Sequence, residues 1–519
     1  MFFVSVGWIL LHSAGMQADE VMFVYDLWHP QSAALLISIF KHHMPLMLMS
    51  YLGALKSWLY APIFFLVDPT KASLRVPTLL LATGTIAASG ILVGRIAGKA
   101  AGILMICLLA TDVTFLFTAV FDWGPVVLQN LLLVGGLLAV VAWWRSRQAS
   151  RNESEERSNQ RARDWLLFLG SFIFGLALWD KALFVWNLSA MVIAVAALNP
   201  RVVLQTLRFK PLVFIALGLV LGAYPLIRFN VHSDRSTLGE NAHFTFHELA
   251  PKGKYFRLAL DGIAAEPAWS DETILAAKKL PPPPVLSSWR FAFSLIVLPM
   301  GLIFAAPRMR RWIAFFVLSA GIAWFQAAIT INAGGSIHHS VLIWPFLYAA
   351  LAMSIAAIAG LGNRWIAIGA FTAAGIICLR GFQTITLTNR NASSYSHIVQ
   401  WTDADSPLCA MLKQTAVKRV IAVDWGIASV VATETADRVS VIDETYELAS
   451  RRFDKDRFVN CIDQDCLVVA HAPGRELFRQ SAAFLQEGMR SLHLDEAQVS
   501  TIPDSHGAPS FLVFRIEKQ

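Results

Sequence analysis

FFVSVGWILLHSAGM, residues 2–16, runs directly into Gln17-Ala18-Asp19-Glu20. An apolar segment followed at once by two adjacent carboxylates marks the point where a helix leaves a bilayer, because carboxylates are expensive inside hydrocarbon. The pair therefore belongs in water or in a polar cavity at the membrane surface. The segment lacks the basic start and small-residue cleavage site of a secretory signal, so it is expected to be retained as a rather short first helix.

Composition extends that reading to the whole chain. Of 519 residues 56% are hydrophobic and 15% charged, with mean hydropathy +0.53 and 17 Trp, the profile of a polytopic membrane protein. The net charge of +7 does not indicate nucleic-acid binding, since the basic residues fall in short segments between apolar runs. That placement is what orientation by the positive-inside bias requires. Basic loops at Arg95 and Lys99, Arg145 to Arg163, Arg201 to Lys210, Arg308 to Arg311 and Arg364 are expected in the cytoplasm.

A spanning helix needs roughly 20 apolar residues. About eleven spans are then expected, near 2–16, 76–93, 100–120, 126–144, 165–178, 183–198, 211–227, 291–306, 312–331, 341–361 and 365–379. The stretch 51–67 is apolar but interrupted by Gly53, Lys56 and Pro62, and counting it as a twelfth span would carry Arg95 and Lys99 outside. The first outer loop, 17–75, is therefore expected to hold interfacial helices, with Tyr51, Trp58 and Tyr60 at the interface. A second outer loop, 228–289, contains His232, His243, His247 and the stiff run Pro281 to Pro284. The region 145–164 reads as a solvated cytoplasmic loop without chemistry.

From residue 389 the composition becomes that of a soluble α/β domain, with strands expected at 419–423, 438–442, 466–470 and 511–516 and a helix at 475–489. The chain thus divides into a membrane domain, 1–388, and an extracytoplasmic domain, 389–519. Cys461 and Cys466 are placed to form a disulfide in an oxidising compartment, and no cysteine spacing resembles a zinc site.

This topology puts the chemically interesting side chains on one face. Asp122 lies in Phe121-Asp122-Trp123-Gly124-Pro125, where Gly and Pro favour a defined turn at the outer end of the third span. Asp112 sits deeper and must face protein or a cavity, in a structural pair or in a functional role. Asp180-Lys181 falls at the junction of two spans, where the lysine either neutralises a phosphate or snorkels to the interface. His338-His339, Arg228 and Lys56 are further candidates for a phosphate or, for the histidines, a metal.

An acidic pair in the first outer loop, interfacial helices and a second outer acid after the third span resemble the GT-C superfamily of integral-membrane glycosyltransferases. The resemblance is to bacterial relatives of the dolichyl-phosphate-mannose protein mannosyltransferases, the family 39 type. Ala18-Asp19-Glu20 and Phe121-Asp122-Trp123-Gly124-Pro125 carry it, supported by Tyr51-Leu52-Gly53-Ala54-Leu55-Lys56 and Trp179-Asp180-Lys181. It covers 2–379 and adds little for the C-terminal domain. It implies an inverting hexosyltransferase of the bacterial inner membrane, using a polyprenyl-phosphate-linked sugar and an acceptor outside the cytoplasm. Asp19 would be the general base, Glu20 would orient the acceptor or Asp19, and Asp122 would position the acceptor or help hold a metal. Lys181, Asp180, His338, His339, Arg228 and Lys56 would bind the carrier phosphate or the acceptor. The first span is short for the family, and no Asp-x-Asp follows the third, which leaves a divalent metal on Asp122 and His338 open and no cofactor required.

A secondary transporter would also place acids in a membrane cavity, but it would usually show repeated halves, and none is visible. A non-catalytic scaffold or receptor would keep its function on Asp19→Asn. The acceptor, whether protein, lipid or surface glycan, is not specified by the sequence.

Overall fold

The computed structural model describes residues 1–519 except 40–41, 150–152, 207–208, 234–235, 266–280, 396–401, 416, 463–465 and 519. The chain opens with a nine-residue helix, α1 (Phe2–Leu10), then α2 (Ala18–Trp28), a hairpin of β1 (Leu35–Ile39) and β2 (His42–Met47), and α3 (Leu55–Phe64). The first outer loop is therefore not made of helices alone, because the antiparallel hairpin occupies much of it. Helix α3 has ten residues, half of what a span needs, and carries Pro62.

The membrane helices follow: α4 (Lys71–Ala97), α5 (Lys99–Ala110), α6 (Val113–Val120), α7 (Val126–Ala149), α8 (Glu153–Asp180), α9 (Val185–Leu198), α10 (Phe209–Gly222) and α11 (Tyr224–His232). After α12 (Leu249–Leu260) come α13 (Arg290–Phe304), α14 (Pro307–Ile329), α15 (Trp344–Ala359) and α16 (Arg364–Tyr395). All eleven segments expected to span are thus at least partly helical. By length and composition five described helices are able to cross a membrane, or seven if each bent pair is one span, and Ala182–Leu198 and Arg290–Phe304 are shorter apolar helices. Helix α4 starts before the expected 76, at a capping box in which the Thr70 hydroxyl accepts from the Ser73 amide, and this brings Arg75 into its first two turns.

The bends have identifiable causes. Asp112 caps α6 by accepting from the Phe115 amide at 2.6 Å, just after the 64° break between α5 and α6. The same carboxylate accepts from the Trp344 indole at 2.9 Å and from Tyr348, and Arg290 spans the break by donating to Leu108 O and Thr111 O, both at 2.7 Å. Asp112 is thus fully occupied in a structural network. Helices α8 and α10 meet through Gly175, Gly218 and Gly222. A Cβ on Gly222 would stand 2.3 Å from Phe172 O, so the backbones approach more closely than any side chain permits.

Helix α16 continues past the expected boundary to Tyr395. Beyond it lies a five-stranded sheet ordered β4-β3-β5-β7-β6, built from β3 (Arg419–Ala422), β4 (Ser440–Asp443), β5 (Cys466–His471), β6 (Leu494–Pro503) and β7 (Pro509–Lys518). Strand β3 pairs in parallel with β4 and β5, and β7 runs antiparallel to β5 and β6. Alternation along β3 feeds two cores, with Val420 and Ala422 on one face and Ile421 and Val423 on the other. Cys461 and Cys466 form a disulfide, with Cα atoms 5.4 Å apart, inside the second core.

Candidate active site

The C-terminal domain sits on the first outer loop. The Met16 amide donates to Asp405 Oδ2 at 2.6 Å, His29 Nε2 lies 2.9 Å from Asp437 Oδ1, and Arg438 pairs with Asp68 at 3.2 Å. Helix α2 packs on α17 (Ile427–Glu434) from that domain. The helix carrying the acidic pair is therefore clamped between membrane helices below and the α/β domain above.

Asp19 is in the first turn of α2. The Gln17 side chain caps the helix, its oxygen accepting from the Asp19 amide at 2.8 Å and the Glu20 amide at 3.3 Å. An anion is favoured at that helix end. The Asp19 carboxylate, only partly buried, receives the Trp123 indole N–H and lies within electrostatic reach of Lys181 and Lys56. Burial pushes its carboxyl above the usual aspartate range, against the opposing pull of these groups.

Glu20 points elsewhere. It is 2% exposed, and Arg75, 1% exposed, grips it through Nε at 2.5 Å and Nη2 at 2.9 Å. The same guanidinium donates to the carbonyls of Leu11, Ala14 and Gly15 and lies over the Phe121 ring at 4.6 Å. Glu20, which the resemblance would have orient the acceptor or Asp19, is held in a buried fork–fork pair. That pair ties the end of the first helical segment to the start of α2.

Beneath Asp19 the other candidates assemble. Lys56 Nζ lies 2.6 Å from Asp122 Oδ2, both side chains buried, and the ammonium also sits over the Phe23 ring at 4.5 Å. Asp122 Oδ1 accepts from the Val127 amide at 3.1 Å. Asp180, fully buried, accepts no hydrogen bond on either oxygen among the described residues, and its charge is felt by Asp122, Lys56 and Lys181. Backbone bonds set this geometry: the Gly53 amide donates to Asp180 O at 3.1 Å and the Ala182 amide to Tyr51 O at 2.8 Å. Gly53 has to be glycine, since a Cβ there would stand 1.8 Å from Trp179 O. Gly124, at φ +77°, opens room beside Lys181, whose Nζ would be 3.3 Å from a Cβ at that position.

His338 and His339 complete the cluster. Their rings are 4.1 Å apart, His338 lies 4.9 Å from the Trp123 ring, and Lys181 is within electrostatic reach of both. His339 Nδ1 accepts from the Gly334 amide at 3.2 Å, while His338 Nδ1 is buried without a hydrogen-bond partner among the described residues. Seven of the nine expected site residues are thus brought together: Asp19, Lys56, Asp122, Asp180, Lys181, His338 and His339. Glu20 is turned into its pair with Arg75. Arg228, on α11 beside the buried Phe229, makes no described ion pair with the cluster. The sequence reading missed Arg75, Trp123 and the cap Gln17. Arg75 carried a signal, being a charge so near the start of a span that it has to be paired.

Among the described residues no three His, Cys, Asp or Glu side chains come together to hold a metal ion, and the ammonium of Lys56 already occupies Asp122.

No family model matches the chain, and no curated protein matches it in sequence. Solved structures do. ArnT from Cupriavidus metallidurans in the apo state superposes with TM-score 0.59 at 12% identity, over 98% of this chain and 97% of that one. ArnT from the same organism bound to undecaprenyl phosphate gives TM-score 0.59 at 11% identity, covering 98% and 96%. Archaeal oligosaccharyltransferase AglB from Archaeoglobus fulgidus, in complex with an inhibitory peptide and a dolichol-phosphate, gives TM-score 0.51 at 12% identity, covering all of this chain and 74% of that one. Such identities speak to fold, and this chain shares its overall fold with these ArnT and AglB structures.

Proposed function

We propose that the protein is a glycosyltransferase that moves a sugar from a polyprenyl phosphate to an acceptor hydroxyl, with inversion, on the extracytoplasmic side of the bacterial inner membrane. The observation that carries this reading is the placement of Asp19. It is a partly accessible carboxylate at a helix N-terminus, directly above a buried cluster of two lysines and two histidines. The solved structures of like fold, one bound to undecaprenyl phosphate and one to dolichol-phosphate, support the carrier class. The Cys461–Cys466 disulfide supports an oxidising compartment for the C-terminal domain.

In this reading Asp19 takes the proton from the acceptor hydroxyl as its oxygen attacks the anomeric carbon from the face opposite the carrier. The bond from that carbon to the carrier phosphate breaks, and the phosphate leaves with the electron pair. Lys181, with His338 and His339 as hydrogen-bonding partners, meets the negative charge that develops on the departing oxygen. The orphaned Asp180 oxygens accept from hydroxyls of the donor sugar. Lys56 and Asp122 neutralise each other and hold Lys181 in register. Glu20 is a positioning residue that acts through Arg75 on the start of α2.

The test is carrier-dependent turnover by the purified protein with a panel of polyprenyl-phosphate sugars. Asp19→Asn should lower kcat by about 10²- to 10⁴-fold, the usual yield of positioned proton transfer, while the fold is retained. Absence of turnover with every donor, or full activity of Asp19→Asn, would overturn the reading.

A further inference from the structure

Helix α16 marks where the hydrocarbon ends on the side of the C-terminal domain. Its exposed apolar side chains run from Trp365 to Phe382, about 26 Å at 1.5 Å per residue, close to the roughly 30 Å of a bilayer core. Beyond Phe382 the exposed positions up to residue 392 are Gln383 and Arg390. At that boundary a cavity of about 260 Å³ opens between α16 and the segment 284–286, with Gly262 also lining it. Its α16 wall is Thr384, Leu387, Thr388 and Asn391, a stripe at helical spacing, and Arg380 lies one turn below Thr384 on the same stripe.

Arg380 has bonding capacity to spare. Its guanidinium lies 4.1 Å from the centre of the half-exposed Trp289 ring and donates to Gln383 Oε1 at 3.2 Å and to Ser287 O at 3.4 Å, both long for a charged donor. Its Nε has no hydrogen-bond partner and it forms no ion pair among the described residues. Arg390, exposed beside Asn391, is also without an ion pair among them, and the Thr388 hydroxyl makes no hydrogen bond there. The carboxylate nearest in the chain, Asp261, is buried and accepts from the Phe291 amide at 3.0 Å.

We propose that this cavity binds the phosphate headgroup of an anionic glycerophospholipid in the leaflet on the C-terminal domain's side. Arg380 stands at the depth of the lipid phosphate, the Thr388 hydroxyl adds a donor, and the acyl chains run down the exposed apolar stripe of α16. The cavity is smaller than the roughly 300 Å³ at which sites for whole drug-sized ligands begin, which suits a headgroup whose tails stay in the bilayer. Two guanidiniums and no free carboxylate favour a net negative headgroup over a zwitterionic one, whose ammonium finds no partner here. None of the residues clustered beneath Asp19 lines the cavity, so the site is separate from the one that receives the carrier phosphate. A lipid held here ties the segment 284–289 to the helix that leads into the C-terminal domain.

The experiment is native mass spectrometry of the full-length, delipidated protein in detergent, with phosphatidylglycerol, phosphatidylcholine, undecaprenyl phosphate and inorganic phosphate titrated separately. The first phosphatidylglycerol should bind about tenfold more tightly than phosphatidylcholine, the scale of one charge-assisted contact. Arg380→Gln should remove most of that preference. Thr388→Phe, which fills the cavity and leaves the guanidinium in place, should do the same. Arg364→Gln is the control, because its guanidinium also lies over an indole, Trp365 at 5.0 Å, but outside this cavity, and it should leave the preference unchanged. A thermal midpoint for each variant separates lost contact from lost fold. Equal binding of the two phospholipids, an undiminished preference in folded Arg380→Gln or Thr388→Phe, or an equal loss in Arg364→Gln would overturn the proposal. So would inorganic phosphate that displaces the lipid at equal concentration, or an Arg380→Gln effect confined to undecaprenyl phosphate, which would make this a carrier site.

Discussion

Asp19 and Glu20 are neighbours in sequence and belong to different environments. Asp19 has its carboxyl pushed above the ordinary aspartate range by burial, with Trp123, Lys181 and Lys56 pulling the other way. A general base works only when ionised, so kcat/KM should fall as pH drops through this raised value. The acid limb of the pH–rate profile should lie above about pH 4, the ordinary aspartate value. A limb at or below that value would count against Asp19 as the base. Glu20 belongs with Arg75, and a cycle of substitutions reads that pair. Arg75→Met leaves a buried carboxylate without its cation, which typically costs about 3–5 kcal/mol. Adding Glu20→Gln to Arg75→Met should recover most of that stability, measured by thermal unfolding in detergent. If the two losses simply add, the pair is not the unit the geometry describes.

At the scale of the element, the Tyr51–Lys56 segment shows how the site is assembled from pieces far apart in the chain. The Gly53 amide bonds to Asp180 O, and the glycine itself admits the Trp179 carbonyl. Gly53→Ala would drive a methyl group into backbone, so the segment has to move and Lys56 with it. Turnover should fall at least tenfold although Gly53 contacts no substrate. Hydrogen exchange should rise at 51–56 and 179–182 and remain unchanged in the C-terminal sheet. Unchanged activity would show that this backbone stitch does not set the site. The sequence made such a meeting partly legible. Asp122, Asp180, Lys181 and the histidines were identifiable because charged or imidazole groups at span ends demand partners, and hydropathy fixed where the span ends are. What was not legible depended on partners distant in the chain. Arg75 looked like the edge of a helix until its acceptor at Glu20 was seen, and Asp112 looked open to function until Trp344 and Tyr348 closed on it. Strand β6 was missed for another reason. It is an edge strand reading Leu-Asp-Glu-Ala-Gln-Val-Ser-Thr-Ile-Pro, half of it exposed, without the apolar alternation that identifies an inner strand.

For the whole molecule, the decisive relation is between the membrane helices and the domain that rests on them, since Asp19, the proposed base, sits on α2, which is tied to α4 through Glu20–Arg75 and packs on α17 of the C-terminal domain. Gly15 lies at that junction. Its carbonyl is held by Arg75 from below, and a Cβ on it would stand 1.7 Å from the carbonyl oxygen of Thr402 above. Beside it the Met16 amide is anchored to Asp405. A methyl group at this position meets backbone, which has no rotamer to give, so Gly15→Ala should lift the C-terminal domain away from α2. The membrane bundle and the sheet each have a hydrophobic core of their own, and both should stay folded. Hydrogen exchange should therefore accelerate at 18–28 and 427–434 while β3, β5 and β7 keep their protection. Transfer to acceptor should fall, because the domain leaves α2 while Asp19, the proposed base, stays on the membrane side. Uniform acceleration across the sheet would mean that the substitution unfolds the domain, and unchanged exchange at α2 would mean that the domain is not what holds it.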